Sequence, residues 1–205
     1  MIDLLFLLYK GIYEMIILIC MVKGDSMKKY IAFLRGINIS GKNKIRMSDL
    51  KLEFENAGFT QVSTYLNSGN VTFLSDDNNL KNRIEDMIIN RFELRIPVYV
   101  VEADVLNDIL SNAPEWWGSN SKEKYDNLIF VLSDDTPEQI YEMVGPPSDE
   151  LEKVQKYKNV IFWTFDRQQY QKCNWWKKTA TNEIADRLTI RTANTVKKVC
   201  KGNMP

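Results

Sequence analysis

The sequence predicts an α+β protein in which the same order of strands and helices occurs twice. From Met27 onward, the spacing of apolar residues alternates between two, which is typical of strands, and about 3.6, which is typical of helices. Turn-forming and helix-capping residues separate these segments. The 205 residues, 44% of them hydrophobic, are enough for one large core or two small ones.

The first repeat, residues 27–102, begins with an apolar strand. A helix opens at Ser48, where Met47 is expected to pack on Leu52, and it ends at Gly58. A pair of strands joined by a tight turn, a second helix and a closing strand then follow. The predicted elements are strands at 30–34, 62–66, 71–74 and 96–101, the hairpin turn Asn67–Asn70, and a helix with Leu80, Ile84, Met87 and Ile88 on one face. This βαββαβ order is that of the ferredoxin-like fold.

The second repeat, residues 127–205, has the same outline after a connector at 103–126. Thr136 and Gln139 form a capping box with proline between them at the first helical position, and Gly145 ends this helix. The other predicted elements are a connector helix at 105–110, strands at 127–132, 151–155, 160–165 and 188–190, a helix over 176–184 and a last helix after Asn194. We therefore predict two tandem ferredoxin-like subdomains, the second with a C-terminal helix.

The composition excludes several functions. The 27 basic and 27 acidic residues cancel, which weakens the case for nonspecific DNA binding but leaves a local basic patch open. The chain has no histidine, which excludes catalysis by a Ser-His or Cys-His pair and leaves the protein without the commonest transition-metal ligand. Cys20, Cys173 and Cys200 are too few and too far apart for a zinc site. They are typical of reduced thiols, and we expect a cytoplasmic protein.

Residues 1–26 are expected to be a mis-assigned N-terminal extension. Its part from Ile2 to Val22 is apolar, but Asp3, Lys10 and Glu14 interrupt it at a cost for membrane insertion, and no signal cleavage pattern follows. The codons for Lys23-Gly24-Asp25 can read AAA-GGA-GAT, a purine-rich ribosome-binding sequence one codon before Met27. A start at Met27 removes any membrane partner, whereas a true anchor is the alternative.

The loop after the first strand is the strongest candidate for a binding site. The segment Tyr30–Arg46, YIAFLRGINISGKNKIR, runs from an apolar strand directly into a basic loop with two glycines. Backbone N–H groups beside several cations are the ingredients of an anion cradle. The predicted strand order brings this loop to the same end of the sheet as the Asn67–Asn70 hairpin, where Asn38 and Lys42 should face the turn. The candidate ligand-binding residues are Arg35, Gly36, Asn38, Gly41, Lys42, Asn43, Lys44, Ser68, Gly69 and Asn70.

Turn chemistry alone is the alternative interpretation of these residues, since glycine supplies positive φ and asparagine bonds to nearby backbone. Residues 36–43, GINISGKN, also satisfy the phosphate-loop pattern except at Asn43, where a hydroxyl would bind magnesium. The predicted helix starts well past the lysine and the predicted sheet lacks parallel strands, which argues against a nucleotide hydrolase. A phosphate-handling enzyme at this loop is kept as an alternative, but no catalytic residue and no cofactor can be assigned.

Aromatic residues suggest a further alternative, a module that binds single-stranded nucleic acid on an open sheet face. Tyr30, Phe33 and Phe73 lie on the relevant strands, but Phe33 alternates to the face opposite Tyr30. Core packing is the simpler interpretation of these rings. Trp116 and Trp117 lie in the connector and are expected to cap the seam between the two halves. We therefore favour a small anionic ligand over nucleic acid, and the oligomeric state stays open.

Three segments carry a resemblance to a known family: RGINISGKNKI at 35–45, YLNSGNVTF at 65–73 and TIRTANTVKKV at 189–199. From Met27 to about Lys201, the chain resembles the domain of unknown function 1697 family, an uncharacterised and mainly bacterial group. The resemblance implies two ferredoxin-like subdomains and no established activity. Many members have Arg-Asn-Trp-Asn-Thr near the end, where this chain has Arg-Thr-Ala-Asn-Thr. The resemblance adds Arg191, Asn194 and Thr195 to the candidate ligand-binding residues.

Overall fold

The structure is a computed structural model that describes residues 27–119 and 121–202. The expected start at Met27 concerns residues 1–26, which lie outside the described residues. In the described part of the chain, eight strands form two four-stranded antiparallel sheets, with seven α-helices packed against them. No helix within these ranges is long and apolar enough to cross a membrane.

The first half contains every strand that the apolar pattern predicts, each bounded within two residues of the prediction. Its strands are β1 (Lys28–Leu34), β2 (Thr60–Tyr65), β3 (Asn70–Ser75) and β4 (Val98–Glu102), and its helices are α1 (Met47–Asn56), α2 (Leu80–Phe92) and α3 (Ala103–Ser111). The hydrogen-bonded order is β2-β3-β1-β4, with every neighbouring pair antiparallel. The C-terminal end of β1 and the β2–β3 turn therefore lie side by side at the same end of the sheet.

One local prediction for α1 is wrong. Met47 is the first residue of the helix rather than a residue before its cap, and Arg46 stands at the cap without a side-chain hydrogen bond. The expected contact partner, Leu52, is 54% exposed. Leu50 and Phe54 are buried instead, because residues four apart lie on the same face of a helix and the face between them points to solvent.

The second half has the strand order β6-β7-β5-β8, again antiparallel throughout the described residues. Its elements are β5 (Lys124–Val131), α4 (Pro137–Val144), β6 (Glu152–Tyr157), β7 (Val160–Asp166), a 3-10 helix (Tyr170–Lys172), α5 (Asn174–Thr179), α6 (Asn182–Ala185), β8 (Leu188–Thr192) and α7 (Ala193–Lys201). The predicted capping box is confirmed: Thr136 Oγ1 accepts from the Gln139 N–H at 3.2 Å, and Gln139 Oε1 accepts from the Thr136 N–H at 2.8 Å.

The predicted single helix over 176–184 is wrong, because the chain forms two short helices there. The hydroxyl of Thr179 donates to the carbonyl of Trp175 at 2.6 Å, and that of Thr181 donates to the carbonyl of Lys178 at 2.7 Å. Side-chain hydroxyls that bond to carbonyls of the preceding turn compete with the regular helical ladder. The first helix therefore ends at Thr179.

The two sheets face each other across a central core. The outer face of each sheet packs on helices of its own half, whereas the inner faces share one cluster with α3 and α7. Phe33 of β1 and Phe130 of β5 stack there with ring centroids 4.5 Å apart. Trp117 is 5% exposed in the same cluster, and its indole N–H donates to the Asn127 carbonyl at 2.7 Å. Trp117 is thus buried in the core that the two halves share.

Candidate functional site

The Gly36–Arg46 loop is held in place by the side chain of Asn38. The Oδ1 atom of Asn38 accepts from the Ile45 N–H at 2.9 Å, and its amide group donates to the Ile45 carbonyl at 2.9 Å. The same amide group also donates to the Asn67 carbonyl of the hairpin at 2.9 Å. One side chain therefore closes the loop and ties it to the β2–β3 turn.

The loop backbone is also unusual in its conformation. Five of its residues have positive φ, and they are Gly36 (68°), Asn38 (55°), Ser40 (49°), Gly41 (79°) and Asn43 (48°). Glycine adopts this region freely, and asparagine tolerates it because its side chain bonds locally. Asn43 does so here by donating to the Gly36 carbonyl at 3.0 Å. The loop thus has one shape that its own hydrogen bonds specify.

The predicted contact between this loop region and the hairpin is present. The Leu34 N–H, at the end of β1, donates to the Gly69 carbonyl at 2.8 Å. Gly69 has a φ of 72°, and a Cβ at this position would lie 2.7 Å from Leu34 Cβ and 2.8 Å from Ile37 Cδ1. Only glycine fits this contact. Of the two side chains expected to face the turn, Asn38 donates a hydrogen bond to it, whereas Lys42 makes none with it within the described residues.

Arg191 joins the hairpin to the second half from a buried position, with 9% of the residue exposed. It donates five hydrogen bonds: to Asn70 Oδ1 (2.6 Å), Thr189 Oγ1 (2.9 Å), the Ile190 carbonyl (2.9 Å), the Leu34 carbonyl (2.6 Å) and the Ser68 carbonyl (2.8 Å). A guanidinium has five N–H donors, so none is left for a ligand.

All five hydrogen-bond acceptors of Arg191 are neutral, so none of these contacts is an ion pair. Its guanidinium carbon lies 5.6 Å from the centroid of the Phe33 ring. Burial lowers the pKa of Arg191 to about 10, so the side chain is still a cation at neutral pH. The geometry makes Arg191 a tie between halves, which differs from the ligand-binding role that the family motif suggested.

Two other candidate residues, Arg35 and Thr195, also make contacts that stabilise the fold. Arg35 Nε donates to the Ala185 carbonyl at 2.9 Å, and its Nη2 pairs with Asp186 at 2.7 Å, so Arg35 is a second tie between the halves. Thr195 is buried at the start of α7, where its N–H donates to Thr192 Oγ1 at 3.3 Å. Asn194 is exposed beside it.

The cations of the loop are its available polar groups. Lys42, Lys44 and Arg46 are exposed, and within the described residues none of their side chains has a hydrogen bond or an ion pair. A cleft of about 510 Å³, which we call the loop cleft, opens beside them. Lys44 and Arg46 line it, but Lys42 does not. The loop cleft is lined by Asn38, Gly41, Lys44, Ile45, Arg46, Met47, Ser48 and Asn67.

The loop does not have the geometry of a nucleotide-hydrolase phosphate loop. Helix α1 begins at Met47, several residues beyond Lys42, and both sheets are antiparallel over the described residues. The backbone around Lys42 instead forms a small bridge, in which its N–H donates to the Ile39 carbonyl at 2.9 Å. A phosphate loop requires its lysine to lie at the start of a helix, whereas Lys42 follows a turn.

The aromatic residues considered for nucleic-acid binding are packed in cores. Phe33 is buried between the sheets, whereas Tyr30 and Phe73 stack on each other under the helices of the first half, with centroids 5.9 Å apart. An open sheet face with exposed rings is what RNA-recognition folds use. Phe33 and Phe73 are buried and so unavailable for stacking on bases, and Tyr30 is partly buried against Phe73.

Sequence reasoning missed one buried carboxylate and one basic surface. Glu152, at the start of β6, accepts from the N–H groups of Trp175 at 3.1 Å and of Trp176 at 3.3 Å, and it thereby caps α5. Its role depends on contacts more than twenty residues away. The basic surface lies around α7, where Lys197 and Lys198 are within the third family segment and Lys201 follows it. Their helical spacing was a readable signal for a charged face.

The chain is thus an α+β protein of two antiparallel four-stranded sheets packed face to face. It matches the family described as "Protein of unknown function (DUF1697)" over residues 27–162 and belongs to that family, which confirms the resemblance carried by its motifs. It is also similar to a solved structure, that of the conserved bacterial protein SP0830 from Streptococcus pneumoniae. The two share 28% sequence identity and a TM-score of 0.75 over 85% of this chain and 98% of that chain. The comparison with curated proteins finds no match.

Proposed function

We propose that this protein binds a small anionic ligand, such as a phosphorylated compound, in the loop cleft. The observation that carries the proposal is the pair of exposed cations, Lys44 and Arg46, on a loop that its own asparagine side chains hold in one shape. Clefts for small ligands commonly measure about 300 to 1,000 Å³, and a prearranged site loses little entropy on binding. The volume of the loop cleft, about 510 Å³, falls in this range.

We also infer that each half is a ferredoxin-like plait. The βαββαβ order of each half and its strand order, with the first strand between the third and the fourth, support this inference. This topology brings the loop after the first strand and the β2–β3 hairpin to the same end of the sheet, which is why Asn38 reaches Asn67. A cytoplasmic location is part of the proposal, and the unpaired thiols of Cys173 and Cys200 are compatible with a reducing compartment.

The test is a thermal-shift screen of phosphorylated and carboxylated metabolites, followed by calorimetry on the compounds that stabilise the protein. A ligand at 100 times its dissociation constant should add about 2.7 kcal/mol to the stability of the folded state. The double variant Lys44→Gln/Arg46→Gln should then weaken binding by roughly tenfold or more, because each cation would lose a charge-assisted hydrogen bond. Binding should also weaken with salt.

The matched control is Lys177→Gln/Lys178→Gln, which removes two lysines from α5, far from the loop in sequence. It should leave the affinity unchanged. The single variant Lys42→Ala should have a smaller effect than the double variant, because Lys42 does not line the loop cleft. Equal affinities for wild type and Lys44→Gln/Arg46→Gln would remove the loop cleft from the binding site.

A further inference from the structure

A second and larger cleft, of about 770 Å³, opens beside strand β5 and along helix α7; we call it the α7 cleft. The β2–β3 hairpin borders both clefts, since Tyr65 at the end of β2 lines the α7 cleft and Asn67 in the turn lines the loop cleft. Six of the residues that line the α7 cleft are basic, and they are Lys122, Lys124, Arg167, Lys197, Lys198 and Lys201.

This concentration of positive charge is not a reflection of the overall composition. The chain has equal numbers of basic and acidic residues, whereas Asp126 is the one carboxylate among the residues that line the α7 cleft. Both oxygens of Asp126 have protein donors, namely Thr164 Oγ1 at 2.6 Å and the Gly118 N–H at 2.9 Å. Like charges placed together in a concavity create a strong positive potential, which raises the local concentration of anions there.

Two of the cations are held in fixed positions. Lys197 Nζ donates to the Gly118 carbonyl at 2.7 Å and lies 5.3 Å from the centroid of the Trp117 ring. Arg167 Nε donates to the Lys124 carbonyl at 3.0 Å, with its guanidinium over the Tyr125 ring at 4.8 Å. Both groups keep donors beyond the one that each uses here. They are therefore ordered before any ligand binds.

Three of the other cations of the cleft have no ion-pair partner within the described residues, and the fourth has a distant one. Lys122, Lys198 and Lys201 form no ion pair within the described residues, and Lys124 has a long contact of 3.8 Å with Asp166. The start of α7 adds to the positive field, because a helix presents partly positive N–H groups at its N-terminus. Ala193 and Asn194 from that first turn line the cleft.

We propose that the α7 cleft binds a polyphosphate, meaning a compound with a chain of two or more phosphates, at a site separate from the loop cleft. A single small anion would leave most of the six cations unbalanced, whereas a phosphate chain presents several charges over a comparable length. Single-stranded nucleic acid is the competing ligand class, and it requires a series of open aromatic faces for stacking. Tyr125 is a poor platform, because Arg167 lies over its ring and Phe165 packs 5.4 Å away.

The proposal is tested with inorganic tripolyphosphate as the probe and the full chain as the protein. Calorimetry should show binding that weakens as salt is raised, because the contacts are charged and partly exposed. The double variant Lys198→Gln/Lys201→Gln, which removes two lysines from the last turn of α7, should weaken binding at least tenfold. Lys177→Gln/Lys178→Gln removes two lysines from the last turn of α5 and is the matched control, expected to bind as wild type.

A nucleoside triphosphate should bind about as tightly as tripolyphosphate, whereas inorganic phosphate should bind at least tenfold more weakly. Binding that Lys44→Gln/Arg46→Gln reduces and Lys198→Gln/Lys201→Gln does not would overturn the assignment to the α7 cleft. No binding of tripolyphosphate at low salt would overturn it outright. An oligonucleotide that binds more tightly than tripolyphosphate and loses affinity in Lys198→Gln/Lys201→Gln would replace polyphosphate by nucleic acid. Melting curves for each variant show whether the fold is intact.

Discussion

Replacing Arg191 by alanine is expected to destabilise the protein more than any surface substitution, because one buried side chain joins the two halves. Three of its five hydrogen bonds cross to the first half, ending on the Leu34 and Ser68 carbonyls and on Asn70 Oδ1. Asn70 is fully buried and in turn donates to the Tyr65 carbonyl at 2.8 Å. Removing the guanidinium therefore takes partners from several groups of the hairpin at once.

The magnitude follows from those lost partners. A buried acceptor that loses its donor costs about 1 to 3 kcal/mol, and the three acceptors across the seam set an upper limit near the sum of these costs. Water entering the space and relaxation of the hairpin reduce this figure. The guanidinium also has an unfavourable desolvation, which alanine removes. We expect Arg191→Ala to lower the free energy of unfolding by about 3 kcal/mol, a large part of the stability of an ordinary domain.

The assay is urea unfolding at pH 7, followed by circular dichroism. Arg191→Lys is the informative comparator, because lysine keeps the charge but offers three donors from one atom instead of a planar fork. It should fall between wild type and Arg191→Ala. Arg191→Met keeps much of the length and removes the charge, so it separates the cost of burying the cation from the value of its bonds.

The result that would refute this reasoning is a loss below 1 kcal/mol in Arg191→Ala. It would mean that the five bonds only repay the desolvation of the guanidinium. Arg191→Met as stable as wild type would lead to the same conclusion. Either outcome would show that the contacts of Arg191 across the seam add little net stability to the fold.

Three further predictions concern single residues. Gly69→Ala should lower the free energy of unfolding by about 2 kcal/mol or more, since its Cβ would lie 2.7 Å from a buried side chain. Gly36→Ala, which has open space around it, should lower it by about 1 kcal/mol, and equal effects of the two substitutions would show that the close contact is unimportant. Burial raises the pKa of Cys173 from 9.0 to about 11, so in a Cys20→Ser background this thiol should resist alkylation at pH 8 until urea unfolds the chain. The protonated thiol stabilises the folded state below pH 9, and this contribution is lost as the pH rises to 11. Glu152→Ala should cost about 2 kcal/mol by removing the cap of α5, and an unchanged urea midpoint would contradict that role.

The strands were predictable from the sequence because their signal is local. In β1 and β5, side chains alternate between two cores, and both faces are apolar enough to mark the strand. The capping box at Thr136 and Gln139 is likewise complete within four residues. The break after Thr179 was not predictable in this way, because whether a threonine hydroxyl continues or competes with the helix depends on the surrounding packing.

The candidate site shows a different limit. The residues predicted to bind a ligand were polar residues in a glycine-bearing segment, and the pattern cannot tell whether their donors face outward or bond to the backbone. Asn38 and Asn43 bond to the loop itself, and Arg191 bonds to the hairpin more than a hundred residues away. The α7 cleft was missed for the complementary reason. Its cations come from the connector before β5, from β5 itself, from the segment after β7 and from α7, which only the tertiary fold brings together.

The packing of the two sheets explains why binding is expected at the edges of this fold. When two such sheets meet face to face, the surfaces that a single sheet would expose become core, as Phe33 and Phe130 show. Ligand contacts must then come from loops and helix ends beside the seam, where polar groups remain exposed. The hairpin is the one element that borders both the loop cleft and the α7 cleft within the described residues, and Arg191 anchors it. A change in the anchor therefore alters the walls of both clefts, so Arg191→Lys should weaken tripolyphosphate binding even though no donor of Arg191 reaches either cleft.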